Sequence, residues 1–177
     1  MFERVPRLVF ISVRNGLLAG LLGIVFLVIL YFVGRHPFLF PVYFDFRLVL
    51  ISAFVVITLK ELRDDHQQGV LYFGQGMIAA FLFTLVFALI AAGFVLIFSA
   101  LYPAFVQDYI TLATSQLRSI DPAIVAQLGK EVVERNINEL PATNGADLAL
   151  DYLVKSVLIS FFISLIISVI LRRQPKI

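Results

Sequence analysis

The chain of 177 residues contains no cysteine, no tryptophan and only two histidines. Without thiols, the sequence excludes a cysteine nucleophile, a disulfide framework, a thiolate zinc site and an iron–sulfur cluster. The histidines, His36 and His66, stand on either side of a predicted membrane span, so they are poorly placed to share a metal ion. The sequence therefore predicts no metal and no cofactor, and it offers no catalytic residue.

Charge is also scarce, since 15% of the residues are charged and 60% are hydrophobic. In a typical soluble domain about 25% of the residues are charged and roughly 45–50% are hydrophobic. Because a soluble domain of ~150 residues still exposes about a third of its unfolded surface, this composition excludes an ordinary soluble globule. The net charge of +2 comes from scattered basic residues, which argues against a nucleic-acid partner. The chain is predicted to be an integral membrane protein in contact with the lipid bilayer.

Hydrophobic segments divide the chain. A bilayer core of ~30 Å requires about 20 apolar helical residues. The predicted spans cover residues 16–34, 42–62, 73–102 and 154–171. In the second span the uninterrupted apolar sequence covers only 48–59, and Asp45 and Arg47 lie one turn inside its start, where we expect them to reach the headgroups. The predicted fold class is all-α: one polytopic membrane domain, residues 1–177, with four transmembrane helices.

Lysine and arginine predict the orientation of these spans, because cytoplasmic loops carry more of both. With four spans, the side that carries both termini holds eight of them, which are Arg4, Arg7, Arg14, Lys60, Arg63, Arg172, Arg173 and Lys176. The other side holds six, and four of those lie in the long connection or at the very start of the last span. Both termini are therefore predicted to be cytoplasmic.

The long connection, residues 103–153, is predicted to form a helical extracytoplasmic cap. A segment of this length without secondary structure is uncommon in a compact protein. Asp121 and Pro122 are a typical helix start, and an apolar stripe follows at Ile124, Val125, Leu128 and Val132. Two interpretations stay open: a cap that lies on the helices or the membrane surface, and a docking surface for another protein.

The densest polar cluster lies between the second and third spans, at Arg63, Asp64, Asp65 and His66, with Gln75 further on. Two carboxylates and an imidazole could hold a divalent ion or act on a phospholipid headgroup. However, consecutive residues on a helix point in different directions, so the alternative is a solvated connector.

No ionisable side chain lies in the middle of a predicted span, although proton relays and ion-coupled transporters usually carry one. Small residues instead mark two stripes, which are Gly16, Gly20 and Gly23 on the first span and Ser156, Ser160, Ser164 and Ser168 on the fourth. Such spacing lets helices approach closely, so we predict that each stripe lies at a helix–helix interface. Contact between the two stripes themselves is one such arrangement. A polar pore lining is the alternative for the serines.

Arg63-Asp64, Gly69 and Phe73-Gly74-Gln75 before a long helix, followed by Tyr102-Pro103-Ala104-Phe105, resemble a membrane family known as domain of unknown function 4199. Gly76 departs from its pattern, where alanine is expected. The family is found mainly in Bacteroidetes. The resemblance implies a four-helix protein of the bacterial inner membrane, with no known activity and no catalytic residue to carry over.

The function predicted from these observations is a non-enzymatic accessory or scaffold subunit of a cell-envelope process. Its partner would be another envelope protein or a second copy of the chain. One alternative is a small transporter or channel component with a wet path lined by the serines or Gln75. The other is an enzyme that acts on lipid headgroups and uses the cytoplasmic loop of residues 60–76 to do so.

Overall fold

A computed structural model describes residues 4–41 and 45–174, and the described residues form seven α-helices. These are α1 (Arg4–Phe32), α2 (Phe46–His66), α3 (Phe73–Leu101), α4 (Ala104–Arg118), α5 (Pro122–Leu128), α6 (Lys130–Glu139) and α7 (Gly145–Leu171). A short 3₁₀ helix, Pro37–Leu39, precedes α2, and another, Leu140–Ala142, follows α6. The predicted all-α class is confirmed. Residues 42–44, where the second span was predicted to begin, and Lys176 lie outside the described residues.

Three helices of the described chain are long and apolar enough to cross a membrane: Arg7–Phe32, Phe73–Leu101 and Gly145–Leu171. The α2 helix is not among them, because charged residues occupy both its first turn and its last two turns. The structure thus supports an α-helical membrane protein. A crossing by α2 stays a prediction.

The α3 helix lies at the centre of the long helices, since it packs against α1 on one face and α7 on another. The α2 helix packs mainly against α1 and α7. The buried side of α3 alternates small and aromatic side chains, with Ala80, Phe83, Phe87 and Ala91 all inaccessible to solvent. The small side chains leave room for neighbouring backbones to approach.

The glycine stripe of α1 makes one of these close approaches. A Cβ atom added to Gly16 would lie 2.8 Å from the carbonyl oxygen of Phe83 and 2.8 Å from Cβ of Val86. At Gly20 the nearest atoms belong to the Ile90 side chain, at 3.1 Å, and at Gly23 to the Phe87 ring, at 3.2 Å. The stripe therefore faces α3, and at Gly16 it meets backbone that cannot move aside.

The serine stripe of α7 makes the other close approach. Ser156, Ser160, Ser164 and Ser168 are all buried. Ser160 shares a short hydrogen bond with Thr84 of α3, and a Cβ atom on Gly76 would lie 3.0 Å from Oγ of Ser168. Both stripes thus face α3 and not each other.

The cap consists of α4, α5 and α6. The sequence predicted one continuous stripe over residues 124–132, but Gly129 adopts φ of +90° and separates α5 from α6. Asp121 accepts the N–H of Ala123 at 2.7 Å and caps α5 as expected. Asn144 and Asp147 form a reciprocal capping box at the start of α7, which then continues unbroken to Leu171.

Replacing Gly16 with alanine should destabilise the protein, because the new methyl group would overlap the Phe83 carbonyl. Overpacking of this kind costs about 1–3 kcal/mol. Gly93 provides the matched control, since nothing lies within 4 Å of an added Cβ there and alanine favours the helix by about 1 kcal/mol. Circular dichroism in detergent measures both melting temperatures. Equal midpoints for Gly16→Ala and Gly93→Ala would contradict the close approach.

Candidate functional site

The predicted polar cluster lies at the end of the helices where α1 begins and α2 and α7 end, which we call the basic end. Arg63 donates two hydrogen bonds to Asp64, from Nε to Oδ1 at 2.6 Å and from Nη2 to Oδ2 at 2.8 Å. Arg63 is buried and Asp64 is exposed. The adjacent guanidinium lowers the pKa of the Asp64 carboxyl below its usual range, and Arg173 and Lys60 act in the same direction.

The other members of that cluster do not converge with this pair. Asp65 is exposed, and His66 lines a cleft against α1 that neither aspartate lines. Gln75 is half-buried, and its Oε1 has no hydrogen-bond partner among the described residues. Within residues 4–41 and 45–174, no three carboxylate or imidazole groups are placed to hold a metal ion. The structure therefore brings together only Arg63 and Asp64.

Sequence reasoning missed a polar contact between α1 and α2 at the same end. The buried amide of Asn15 donates from Nδ2 to Oγ1 of Thr58 at 3.2 Å and to Oε2 of Glu61 at 3.3 Å. Arg14 donates from Nη2 to the same Glu61 oxygen at 2.5 Å. The i, i+3 spacing of Thr58 and Glu61 on α2 was the available signal, but nothing local identifies Asn15 as their partner.

A backbone contact closes the basic end. The N–H of Leu71 donates to the carbonyl of Arg173 at 2.9 Å, and the N–H of Arg173 donates to the carbonyl of Leu71 at 3.0 Å. This antiparallel bridge joins the residues after α7 to the α2–α3 connection. It places the carboxyl-terminal end of α7 beside the end of α2.

An ion pair is buried at the opposite end, where α2 begins. Asp45 accepts the backbone N–H of Arg47 at 2.9 Å and both of its carboxylate oxygens accept from the Arg47 guanidinium. The guanidinium also lies 4.7 Å from the centre of the Tyr152 ring. Both charged residues are only 6% exposed, so the prediction that they reach the headgroups is wrong. They satisfy each other inside the protein instead.

His36 fixes the start of the cap to the 3₁₀ helix. Its Nε2 forms a 3.0 Å hydrogen bond with the carbonyl of Phe105, and its Nδ1 accepts the N–H of Phe38 at 3.4 Å. These partners require a neutral ring with its proton on Nε2. Burial lowers the pKa of His36, and it outweighs the opposite effects of the Phe105 carbonyl and Asp108.

Aromatic rings complete this anchor. Tyr31, at the end of α1, donates from its hydroxyl to Oδ2 of Asp108 on α4 at 2.7 Å. Its ring lies edge-on to Phe105, with centroids 5.1 Å apart, and to Phe98 of α3 at 6.0 Å. These contacts hold α4 to α1 and α3. The residues that make them are not linked by any short, regular spacing in the sequence.

The rest of the cap is open. A cavity of about 580 Å³ lies between α4 and the end of α6 with the 3₁₀ helix that follows it. Its walls include Tyr109, Ala113 and Leu117 of α4, and Asn136 and Leu140 on the opposite side. Every residue of α5 is at least partly exposed to solvent. The side chains of Ile124, Leu128 and Val132 are 48%, 55% and 43% exposed. The cap thus presents an apolar stripe outward.

Beside the serine stripe lies a small crevice of about 60 Å³, lined by Thr84, Ser160 and Ser164 among others. A single buried water requires about 10–15 Å³ measured this way. The crevice therefore has room for a few waters but is not a continuous path between the two ends.

Comparison with known proteins identifies a family that the chain matches. The sequence model of the family described as a protein of unknown function (DUF4199) matches residues 14–173. No curated protein and no solved structure matches the chain. The family resemblance predicted from the residues around α3 is confirmed.

The buried ion pair predicts an asymmetric response to mutation. Arg47→Leu leaves the Asp45 carboxylate buried without its partner, which should cost about 3–5 kcal/mol of stability. Asp45→Asn combined with Arg47→Leu removes the buried charge while asparagine still caps α2, so the double variant should recover part of that loss. Unfolding in mixed micelles, followed by circular dichroism, measures both. A double variant no more stable than Arg47→Leu would show that the pair is not the source of the loss.

Proposed function

The chain belongs to the family of unknown function DUF4199, and we propose that it is a non-enzymatic accessory or scaffold subunit of a cell-envelope process. It binds another membrane-associated protein through its cap. One observation carries this proposal: the apolar stripe formed by Ile124, Leu128 and Val132 points away from the protein. These three exposed side chains lie within nine residues on α5 and the start of α6, and clustered apolar surface marks interaction sites in folded proteins.

The charge of the cap favours a protein over the membrane surface as the occupant of the stripe. Helices that lie on anionic membranes carry lysine and arginine on their polar face. Residues 104–139, from the start of α4 to the end of α6, instead carry five acidic residues against three basic ones. A segment with an excess of acidic residues repels anionic headgroups and favours a partner with basic residues around an apolar contact.

The anchoring of α4 supports the same role. His36 and Tyr31 hold α4 to the membrane helices by two side-chain hydrogen bonds, at 3.0 Å and 2.7 Å. The α6 helix packs on α4, so this anchoring orders the support of the stripe, and an ordered surface loses little conformational entropy when a partner binds, which raises affinity.

Specific geometry favours this function over the two alternatives. A transporter component would use a wet path along the serines, where the described residues leave a crevice of about 60 Å³. An enzyme acting on headgroups would use Asp64, Asp65 and His66 at one point, whereas His66 lines a different surface from the two aspartates.

We also propose that α2 crosses the bilayer, which gives four spans in the bacterial inner membrane with both termini in the cytoplasm. The α2 helix runs antiparallel along α1, since Phe46 stacks on Phe26 at 5.7 Å and Thr58 bonds to Asn15. From residue 15 to residue 26 a helix rises about 16 Å. The α2 helix therefore lies beside this part of α1, and its Arg47 and Thr58 side chains are buried against α7 and α1.

Labelling of single cysteines tests the topology, because the chain has none of its own. Ser119→Cys in the cap and Asp65→Cys at the end of α2 are both at exposed positions. A membrane-impermeant maleimide should label Ser119→Cys in intact cells and Asp65→Cys only after permeabilisation. The reverse pattern would contradict this topology, since it requires either that α2 does not cross or that both termini lie outside the cytoplasm.

Affinity purification in mild detergent tests the partner. The full-length chain should retain a reproducible partner, and Leu128→Glu should lose it, because a charge at the centre of the stripe is costly to bury. Gln127→Glu adds the same charge at the neighbouring exposed position and should keep the partner. Identical co-purifying proteins with all three chains would contradict the proposal. A homo-oligomer without a partner would favour the transporter alternative.

A further inference from the structure

We propose that the basic end contains a binding site for the phosphate group of an anionic phospholipid, in a cleft between α1 and α2. The cleft has a volume of about 400 Å³ and is lined by Arg7, Phe10, Ile11, Arg14, Glu61 and His66. This inference does not depend on the partner proposed for the cap, because the cap lies at the other end of the helices.

The position of the cleft along α1 corresponds to the headgroup layer. Arg14 is the last charged residue before the apolar run of residues 16–34, so it marks the edge of the hydrocarbon. Arg7 is two turns earlier, about 10 Å along the helix axis. The interfacial layer on each side of a bilayer is about 5–8 Å deep, so Arg14 lies at its inner edge and the backbone of Arg7 just beyond its outer edge. The lining residues of α1 recur at i, i+3, i+4 and i+7, so they share one face.

Two of these side chains suit a phosphate. An arginine guanidinium binds two phosphate oxygens at once, and Arg7 is exposed in the cleft. His66 adds an N–H donor in either neutral tautomer. Arg14 is already bonded to Glu61, which holds both side chains at the wall of the cleft. The donors thus come from two helices that meet at one level.

The cleft favours a phospholipid over a soluble phosphate for two reasons. Phe10 is 65% exposed and Val9 is 40% exposed, so the surface beside the donors is apolar and suits an acyl chain. The Glu61 carboxylate also lines the cleft, where it disfavours a doubly charged phosphate monoester or inorganic phosphate. The phosphodiester of a phospholipid carries a single negative charge.

Native mass spectrometry of the full-length protein tests the site. The protein is incubated with equal amounts of phosphatidylglycerol and phosphatidylcholine that have the same acyl chains. We expect it to retain phosphatidylglycerol in excess, and Arg7→Gln to reduce that retention about fivefold, the effect of one basic residue near a membrane surface. His66→Gln should also reduce retention. Arg118→Gln removes an exposed arginine from α4 in the cap and should change nothing.

Three results would overturn the site: equal retention of the two lipids, an equal loss with Arg118→Gln and Arg7→Gln, or displacement of the lipid by millimolar inorganic phosphate. The last result would identify a soluble anion as the ligand.

A second measurement needs no variant. Photoreactive phosphatidylglycerol should label wild-type peptides that contain Phe10 or His66, and labelling confined to other peptides would also overturn the proposal.

Discussion

The close approach of α1 and α7 to α3 is the constraint on which the other contacts depend. In a bilayer, lipid chains are as apolar as leucine, so helices gain little from apolar contact as such and associate through tight packing. Gly16 allows α1 to rest on the Phe83 carbonyl, and the buried serines do the same for α7. This packing fixes the ends of α1, α3 and α7, and those ends support the cap.

Polar contacts at both of its ends help to hold α2 among these helices, in addition to its buried apolar residues. At one end its Arg47 pairs with Asp45 and lies on the Tyr152 ring of α7. At the other end Thr58 and Glu61 bond to Asn15 of α1. A helix with charge at both termini is poorly suited to enter lipid alone, and its neighbours supply the hydrogen bonds that lipid cannot.

Local patterns and long-range contacts differ in how far the sequence reveals them. Hydropathy and small-residue spacing indicated α1, α3, α7 and both stripes, because these properties belong to single helices. The Arg47–Tyr152 contact joins residues 105 positions apart, and the His36–Phe105 bond joins residues 69 apart, so no local spacing encodes them. The break at Gly129 was missed since one glycine is often tolerated within a helix. The cleft at His66 depends on how two helices align.

The α1 helix contacts both surfaces to which function is assigned, with Arg7 at the lipid cleft and Tyr31 at the cap. Coupling between two such surfaces needs an element with two discrete arrangements that each ligand favours differently. The glycine seam offers α1 one arrangement, because sliding by a turn would bring either Ser12 against the Phe83 carbonyl in place of Gly16 or Ile24 against Ile90 in place of Gly20. The α1 helix therefore sets the distance and orientation between the lipid cleft and the cap. The proposed lipid binding at one end and the proposed partner binding at the other are then independent properties of a rigid support.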